Sequence, residues 1–241
     1  MIDMHSHIIP QIDDGSKSIE ETFNMIDEAK EAGFTDIIMT SHFLTHYYEP
    51  TTEEIVLWRD KLQEILDSRQ KNIKLHTGME IYISNQLKEL IEQKRLLTLG
   101  NSNYLLIELP LNSTVNYLNH VLFLLESLGI KPIIAHPERY ACVQENLEII
   151  EEYIDRGALL QCNYGSILGQ YGNKAKKTFE KMLKKNQVSF LGSDCHKQDS
   201  IYTKIPKAVK KIKKIIGEEE FNIISTVNAK KVLNNEKWEI D

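Results

Sequence analysis

Residues 1–42 read MIDMHSHIIPQIDDGSKSIEETFNMIDEAKEAGFTDIIMTSH and carry the pattern of a strand, an amphipathic helix and a second strand. The strands are predicted at Met1–Met4 and Asp36–Thr40. Between them apolar residues recur at helical spacing, the sequence SIEE from Ser18 has the pattern of a capping box, and Gly33 stands where the helix must end. This β-α-β unit is typical of a parallel sheet covered by helices.

The same alternation continues along the rest of the chain. An amphipathic helix is predicted on the stripe Val115, Leu118, Leu122 and Leu125. Seven β-α units without a Pro-, Gly- or Ser-rich linker favour one domain over residues 1–241, built as a closed or nearly closed α/β barrel; an open doubly wound sheet is the alternative. The remaining strands are predicted at Leu75–Ile81, Tyr104–Leu109, Pro132–Ala135, Ala158–Cys162 and Val188–Gly192.

The composition excludes several functional classes. With 41% hydrophobic and 27% charged residues, the chain is an ordinary globular sequence, and its net charge of −6 argues against nonspecific nucleic-acid binding. The three cysteines lack CxxC spacing, which indicates neither a disulfide framework nor a zinc knuckle. No apolar run is long enough for a membrane span, so we expect a cytoplasmic protein with no stable membrane insertion.

The chain from Tyr202 onward is predicted to be helical, with lysines on both sides of an apolar stripe. Such a pattern is typical of a solvated face opposite a buried one, and the alternative is a binding site for an acidic partner. The stripe is Ile205, Val209, Ile212 and Ile216, and the lysines are Lys204, Lys207, Lys210, Lys211, Lys213 and Lys214.

Residue types that can bind metals or phosphate follow the predicted strands. His5 and His7 stand two apart at the end of the first strand, so both imidazoles face the same side. Because the carboxyl ends of barrel strands converge on one mouth, we expect the residues after the other strands to lie beside them. Those residues are His42 in TSH, Glu80 in GME, Glu108 in LIE, His136 and Arg139 in AHPER, and Asp194 and His196 in GSDCH. Asp13 and Asp14, before Gly15, either add a carboxylate or form an Asp-Gly turn.

Mixed imidazole and carboxylate donors suit Mn, Fe or Zn better than Mg or Ca. Their number exceeds the needs of one ion, and two or three neighbouring ions could activate water and clamp the oxygens of a phosphoryl group. Arg139 lies three residues after His136 and could bind that phosphate as a planar fork, the alternative being a surface ion pair. The pattern therefore predicts metal-assisted hydrolysis of a phosphate ester.

Thiol-based phosphatase chemistry is excluded by the sequence. That chemistry needs an arginine six positions after the cysteine, and the chain has Glu148, Leu168 and Ile201 at those positions. Cys195 is predicted to point away from the neighbouring Asp194 and His196. The aromatic residues near His46, namely Tyr47 and Tyr48, could receive a flat substrate group or could simply pack within their loop.

The ordered motifs HSH, DDG, TSH, GME, IELP, AHPERY and GSDCH resemble the PHP superfamily, named for polymerase and histidinol phosphatase. More closely, they resemble the manganese-dependent tyrosine-protein phosphatases of bacterial capsule and exopolysaccharide operons. The motifs occur in family order between Met1 and His196. The resemblance implies a distorted (β/α)7 barrel with three Mn²⁺ ions at its mouth. It also implies a phosphotyrosine substrate on the autokinase that controls polysaccharide synthesis.

Within this resemblance, the first ion would be held by the two histidines of HSH, Glu80 and Asp194. Glu80 would bridge to a second ion, which Glu108 and His136 would also hold. Asp14, His42 and His196 would hold the third ion. Glu80 and Arg139 would take part in catalysis. The full set of implied ligands is His5, His7, Asp14, His42, Glu80, Glu108, His136, Asp194 and His196. The alternatives are a small-molecule phosphatase, such as a histidinol phosphatase, and a non-catalytic metal-binding regulatory module.

Overall fold

The computed structural model describes residues 1–113 and 117–238, and within them seven parallel strands form one sheet in chain order. All seven predicted strands are present, although β2 extends three residues beyond its predicted end. The strands are β1 (Ile2–Ser6), β2 (Asp36–Phe43), β3 (Lys74–Tyr82), β4 (Tyr104–Glu108), β5 (Lys131–Ala135), β6 (Leu159–Asn163) and β7 (Phe190–Gly192).

Helices surround this sheet. Short 3₁₀ turns precede or follow several strands, and a π-helix covers Ile223–Val227. Among the described residues, no helix combines the length and apolar character that a membrane span requires. The α-helices are α1 (Ile19–Glu31), α2 (Thr52–Ser68), α3 (Leu87–Glu92), α4 (Leu118–Ser127), α5 (Ala141–Glu145), α6 (Glu148–Asp155), α7 (Gly172–Lys184), α8 (Ile205–Asn222) and α9 (Asn228–Leu233).

The sheet closes into a barrel through a short seam between β1 and β7. Ser6 and Cys195 form a parallel bridge, and the Asp194 amide donates to the His5 carbonyl at 2.8 Å. Behind the seam the buried Asp3 carboxylate accepts hydrogen bonds from the Ser193 amide at 2.8 Å and from a tyrosine hydroxyl. This barrel confirms the predicted fold class and excludes the open sheet.

The barrel interior changes from apolar at the bottom to polar at the mouth. Along β2, Ile38 belongs to the apolar floor, and Thr40 and His42 follow at the strand period of two. In β1 a register shift between Asp3 and Ser6, a stretch that includes His5, interrupts that alternation. The buried floor consists of Ile2, Met4, Ile38, Leu99, Tyr104, Leu106, Ile133, Ala135, Leu159, Phe190, Ala229 and Val232.

Two details of the helices differ from the sequence predictions. The Ser18 side chain accepts from the Glu21 amide as predicted, but the Glu21 carboxylate accepts from the Lys17 amide, so the capping box is incomplete. The C-terminal helical region bends at Gly217, which has φ 84° and ψ 175°. Val115 of the predicted stripe in α4 lies outside the described residues, and the other three residues of that stripe are buried.

Phe190 fills the floor of the barrel, with its ring centroid 5.5 Å from that of Trp238. Phe190→Ala should lower the free energy of unfolding by about 3–5 kcal/mol, because it leaves a cavity that the closed strands cannot collapse. Phe123 is 69% exposed, so Phe123→Ala should change that free energy by less than about 0.5 kcal/mol. Chemical denaturation of both variants measures the difference, and equal losses would contradict this account of the core.

Candidate metal centre

The mouth of the barrel brings together every residue of the predicted metal set. His5, His7 and Glu80 have no exposed side-chain surface, whereas the Asp14 side chain is 53% exposed. The cluster is therefore a bowl with a buried base and one open side. Its members are His5, His7, Asp14, His42, Glu80, Glu108, His136, Asp194 and His196.

Glu80 lies at the centre of the bowl. Its Oε2 is 3.0 Å from His42 Nδ1, 3.1 Å from His5 Nε2 and 3.4 Å from His7 Nε2. Its Oε1 is hydrogen-bonded to His136 Nε2 at 2.9 Å. Four imidazoles thus converge on one buried carboxylate.

Three overlapping groups of donor atoms have the spacing of metal ligands. The first contains His5, His7 and Glu80, with Asp194 Oδ1 3.6 Å from both imidazoles. A second contains Glu80, Glu108 and His42, and His136 Nε2 lies 3.6 Å from Glu108 Oε1. The third consists of His7, Asp14, His42 and His196. Two imidazoles belong to two groups each. His7 is in the first and third groups, and His42 joins the second and third because it directs Nδ1 to Glu80 and Nε2 to Asp14.

The electrostatics of the bowl show how strongly its carboxylates need positive charge. Burial disfavours protonation of His5, but Glu80 and Asp194 outweigh it and raise its pKa to about 9. Burial likewise lowers the pKa of His42 and of His196, but neighbouring carboxylates outweigh it and raise both values to about 9. Burial and the nearby Glu80 raise the pKa of Glu108 to about 8. Divalent cations would compensate the same carboxylates.

The buried polar atoms of the bowl fit such cations. Among the described residues, Glu80 Oε2 and His136 Nδ1 are buried without a hydrogen-bond partner. Leaving a buried carboxylate oxygen unpaired is costly, although three imidazole nitrogens lie within 3.4 Å of this one. A donor set of imidazoles and carboxylates without thiolates matches Mn, Fe or Zn.

Comparison with known proteins assigns the family. A family model for capsular polysaccharide synthesis proteins, CpsB/CapC, matches residues 1–234. The chain belongs to the CpsB/CapC family. The putative tyrosine-protein phosphatase CapC of Staphylococcus aureus is 37% identical over 196 residues, which are 81% of this chain and 77% of that protein. The tyrosine-protein phosphatase CpsB of Streptococcus agalactiae serotype V is 32% identical over 241 residues, covering 98% of this chain and 99% of the relative.

A solved structure agrees with this assignment. One chain from the crystal structures of YwqE from Bacillus subtilis and CpsB from Streptococcus pneumoniae, described as metal-dependent tyrosine phosphatases, superposes with a TM-score of 0.90. It is 28% identical, and the match covers 98% of this chain and 96% of that one. The family and the barrel that the sequence motifs predict are therefore confirmed.

The two neighbouring aspartates of this CpsB/CapC chain occupy different positions. The buried Asp13 carboxylate lies 2.9 Å from His7 Nδ1, and it also accepts from the amides of His42 and Gly15 at 2.9 Å. His7 lowers the pKa of Asp13 to about 2 although burial opposes this. Asp14 Oδ1 instead lies 3.5 Å from His196 Nε2. Asp13 therefore forms the predicted turn and also orients His7, a role that sequence reasoning missed.

A chain of side-chain amides behind the cluster was also missed. Gln161 Oε1 is 2.8 Å from His5 Nδ1, and Gln161 Nε2 donates to Asn163 Oδ1 at 2.9 Å. Asn163 Nδ2 then donates to Asp194 Oδ2 at 2.7 Å. The period of two at the end of β6 could have placed both amides inside the barrel. They fix the orientations of a histidine from β1 and an aspartate that follows β7.

Arg139 lies at the edge of the bowl, where its side chain is 21% exposed. Its Nη1 donates to Asp194 Oδ2 at 2.7 Å, and its guanidinium carbon is 4.4 Å from the ring centroid of Tyr171. The Tyr171 hydroxyl is 3.3 Å from the same Asp194 oxygen. Arg139 thus forms an ion pair, as the alternative prediction had it, but its partner is Asp194 of the metal set and not a surface carboxylate. The Tyr171 ring packs against the guanidinium plane.

Cys195 and the aromatic residues Tyr47 and Tyr48 lie next to the bowl. Cys195 is buried, and its Sγ contacts the Lys197 carbonyl and the Ser200 hydroxyl at 3.3 and 3.4 Å, away from the imidazoles. Burial raises the pKa of the Cys195 thiol to about 12, so it is unsuited to nucleophilic attack. At the rim, Tyr48 stacks on His42 with ring centroids 6.1 Å apart, and Tyr47 is 78% exposed.

Asp13→Asn should weaken metal binding about 10- to 100-fold, because the amide cannot replace all three acceptor contacts that orient His7 and its loop. Asp36 provides a matched control, since its carboxylate binds His76 Nε2 at 2.9 Å on a partly exposed strand end. Asp36→Asn should leave the affinity unchanged. Titration of the metal-free proteins with Mn²⁺ measures both affinities, and equal values would show that Asp13 has no orienting role.

Proposed function

We propose that this chain is a metal-dependent protein tyrosine phosphatase whose substrate is phosphotyrosine on a bacterial autokinase that controls capsule or exopolysaccharide synthesis. The observation that carries the proposal is the buried Glu80 carboxylate, whose Oε2 has three imidazoles within 3.4 Å and lacks a hydrogen bond among the described residues. Relatives over most of the chain are named tyrosine-protein phosphatases, which supports the substrate class.

The proposed cofactor is Mn²⁺, with three ions in the bowl; Fe and Zn suit the same donors. His5, His7, Glu80 and Asp194 would hold the first ion. Glu80 would also hold the second ion, together with Glu108 and His136. Asp14, His42 and His196 would hold the third ion. Together with His7 they form one of the three donor groups.

When bound, these ions would activate water as the nucleophile and neutralise charge on the phosphoryl oxygens. The residues of the chain orient the ester. Arg139 presents its planar fork at the edge of the bowl, where it can donate to two phosphoryl oxygens as negative charge develops on them. Tyrosinate is a comparatively good leaving group, because the reference pKa of tyrosine is about 10, so no strong general acid is required.

A protein substrate fits the open side of the bowl. The side chains of Asp14, His196 and Arg139 are 53%, 31% and 21% exposed, so a phosphotyrosine that projects from a polypeptide could reach them. A small-molecule phosphatase and a non-catalytic metal-binding module remain the competing functions. A cytoplasmic location remains a prediction from the sequence.

The substrate class can be tested with the purified protein loaded with Mn²⁺. Hydrolysis of a phosphotyrosine peptide should exceed hydrolysis of histidinol phosphate in kcat/KM, and removal of the metal with a chelator should abolish both. Restored activity after Mn²⁺ is added back controls for damage to the protein. Preference for histidinol phosphate would favour a metabolic enzyme, and a metal-loaded protein that hydrolyses neither compound would favour the regulatory module.

Arg139→Lys should lower kcat/KM for the phosphotyrosine peptide by tens- to about a thousandfold, because lysine keeps the charge but loses the two-point fork. The bound metal content, measured in the same sample, should remain that of the wild type. Arg59 offers a control, since its side chain pairs with the neighbouring Asp60 on α2 and lines a cleft with Lys74, which starts the strand whose other end carries Glu80. Arg59→Lys should leave kcat/KM unchanged; an unaltered Arg139→Lys enzyme would remove Arg139 from the phosphate site.

A further inference from the structure

One part of the chain is strongly enriched in positive charge, with 13 of the 29 lysines and arginines. Residues 172–217 contain 13 lysines, no arginine and three acidic residues, a net charge of +10. Since the whole chain has a net charge of −6, the remaining residues carry −16. Charge is therefore strongly separated along a sequence whose overall balance is acidic.

The structure places ten of these lysines on helices α7 and α8, which pack against each other, and Lys204 directly precedes α8. Nine of these eleven lysines are exposed, and no carboxylate among the described residues lies within 4.0 Å of their amino groups. We call these nine residues the lysine face: Lys174, Lys177, Lys181, Lys184, Lys204, Lys207, Lys210, Lys211 and Lys214. Several are spaced three or four apart on one helix, where like charges repel by a few tenths of a kcal/mol per pair.

The lysine face begins at the mouth of the barrel. Tyr171, which directly precedes α7, contacts Asp194, and Lys197 and Ile201, which precede α8, line a cleft of about 180 Å³ together with Arg139. Helix α7 has 13 residues and so extends roughly 20 Å from this cleft. A polypeptide with its phosphotyrosine in the bowl could follow that surface for about six residues in extended form.

We infer that the lysine face docks an acidic segment of the substrate polypeptide, next to the phosphotyrosine in sequence. The inference rests on the proposed function, since the position of the face matters only if the bowl receives phosphotyrosine. Charge complementarity and continuity with the cleft favour this partner, and an acidic segment would relieve the repulsion among the lysines.

Two other anionic partners fit the face less well. The apolar sides of α7 and α8 are buried in the fold, and the large exposed apolar residues found among the described residues lie on other elements, so nothing on the face could insert into a lipid bilayer. A nucleic-acid surface typically combines arginines or stacking aromatics with its lysines, and residues 172–217 have no arginine. A flexible, carboxylate-rich segment requires only dispersed positive charge.

Two phosphotyrosine peptides of equal length test the inference: one has Asp and Glu within six residues of the phosphotyrosine, and the other has Asn and Gln there. At low salt the Mn²⁺-loaded wild type should favour the acidic peptide by about tenfold in kcat/KM, mainly through KM, and about 0.5 M NaCl should remove most of that preference. The triple variant Lys177→Glu, Lys207→Glu, Lys211→Glu should lose the preference. It should hydrolyse p-nitrophenyl phosphate like the wild type, because that compound is too small to reach the face.

A matched variant controls for net charge. Lys30→Glu, Lys61→Glu, Lys88→Glu places the same charge change on α1, α2 and α3 and should keep the preference. Equal kcat/KM for the two peptides in the wild type, or equal losses in both triple variants, would overturn the inference. The inference would also be overturned if the wild type, but not the lysine-face variant, bound phosphatidylserine vesicles while both proteins had the same peptide preference. Failure to hydrolyse either peptide or p-nitrophenyl phosphate would instead refute the proposed function.

Discussion

The burial of one carboxylate at the barrel mouth is the constraint on which the rest of the structure depends. An ionised Glu80 without exposure would be strongly unfavourable if its surroundings were apolar, so positive or donating groups must surround it. The imidazoles that approach it must themselves be held, and Asp13 and Gln161 bind the far nitrogens of His7 and His5. These outer polar side chains fix the orientations of the imidazoles that surround Glu80.

The barrel supplies the geometry for this arrangement at low cost. Strand alternation carries β2 from Ile38 in the apolar floor to His42 in the bowl, and β4 from Leu106 to Glu108. Burial of the floor stabilises the same strands whose ends hold the polar groups, so stability and site are built from one sheet but from different halves of it. The register shift in β1 is the local exception, and it falls between Asp3 and Ser6, a stretch that includes the first histidine of the HSH motif.

The sequence allowed prediction of the strands, because β-branched runs between helical stretches have few other solutions, and the strand ends then located nearly every donor. It did not reveal partners that act through hydrogen bonds over long sequence separations. Asn163 reaches Asp194 across 31 residues, and Tyr171 supports Arg139 from a loop before α7. Asp13 was visible only as an alternative to Asp14, since a turn residue and a histidine partner have the same sequence pattern. The bend at Gly217 comes from a positive φ of 84°, which favours glycine and which the helical periodicity of the apolar stripe did not indicate.

The distribution of charge gives residues 172–217 and the rest of the chain opposite effects on an anionic substrate. The carboxylates of the bowl would repel a phosphate ester at short range, and cations bound among them would reverse that sign only within the bowl. At longer range the chain outside residues 172–217 carries −16, which would also repel an acidic polypeptide. Tyr171, the residue before α7, lines the same cleft as Arg139, so an acidic segment docked along the lysine face as inferred would be attracted from solution up to that cleft.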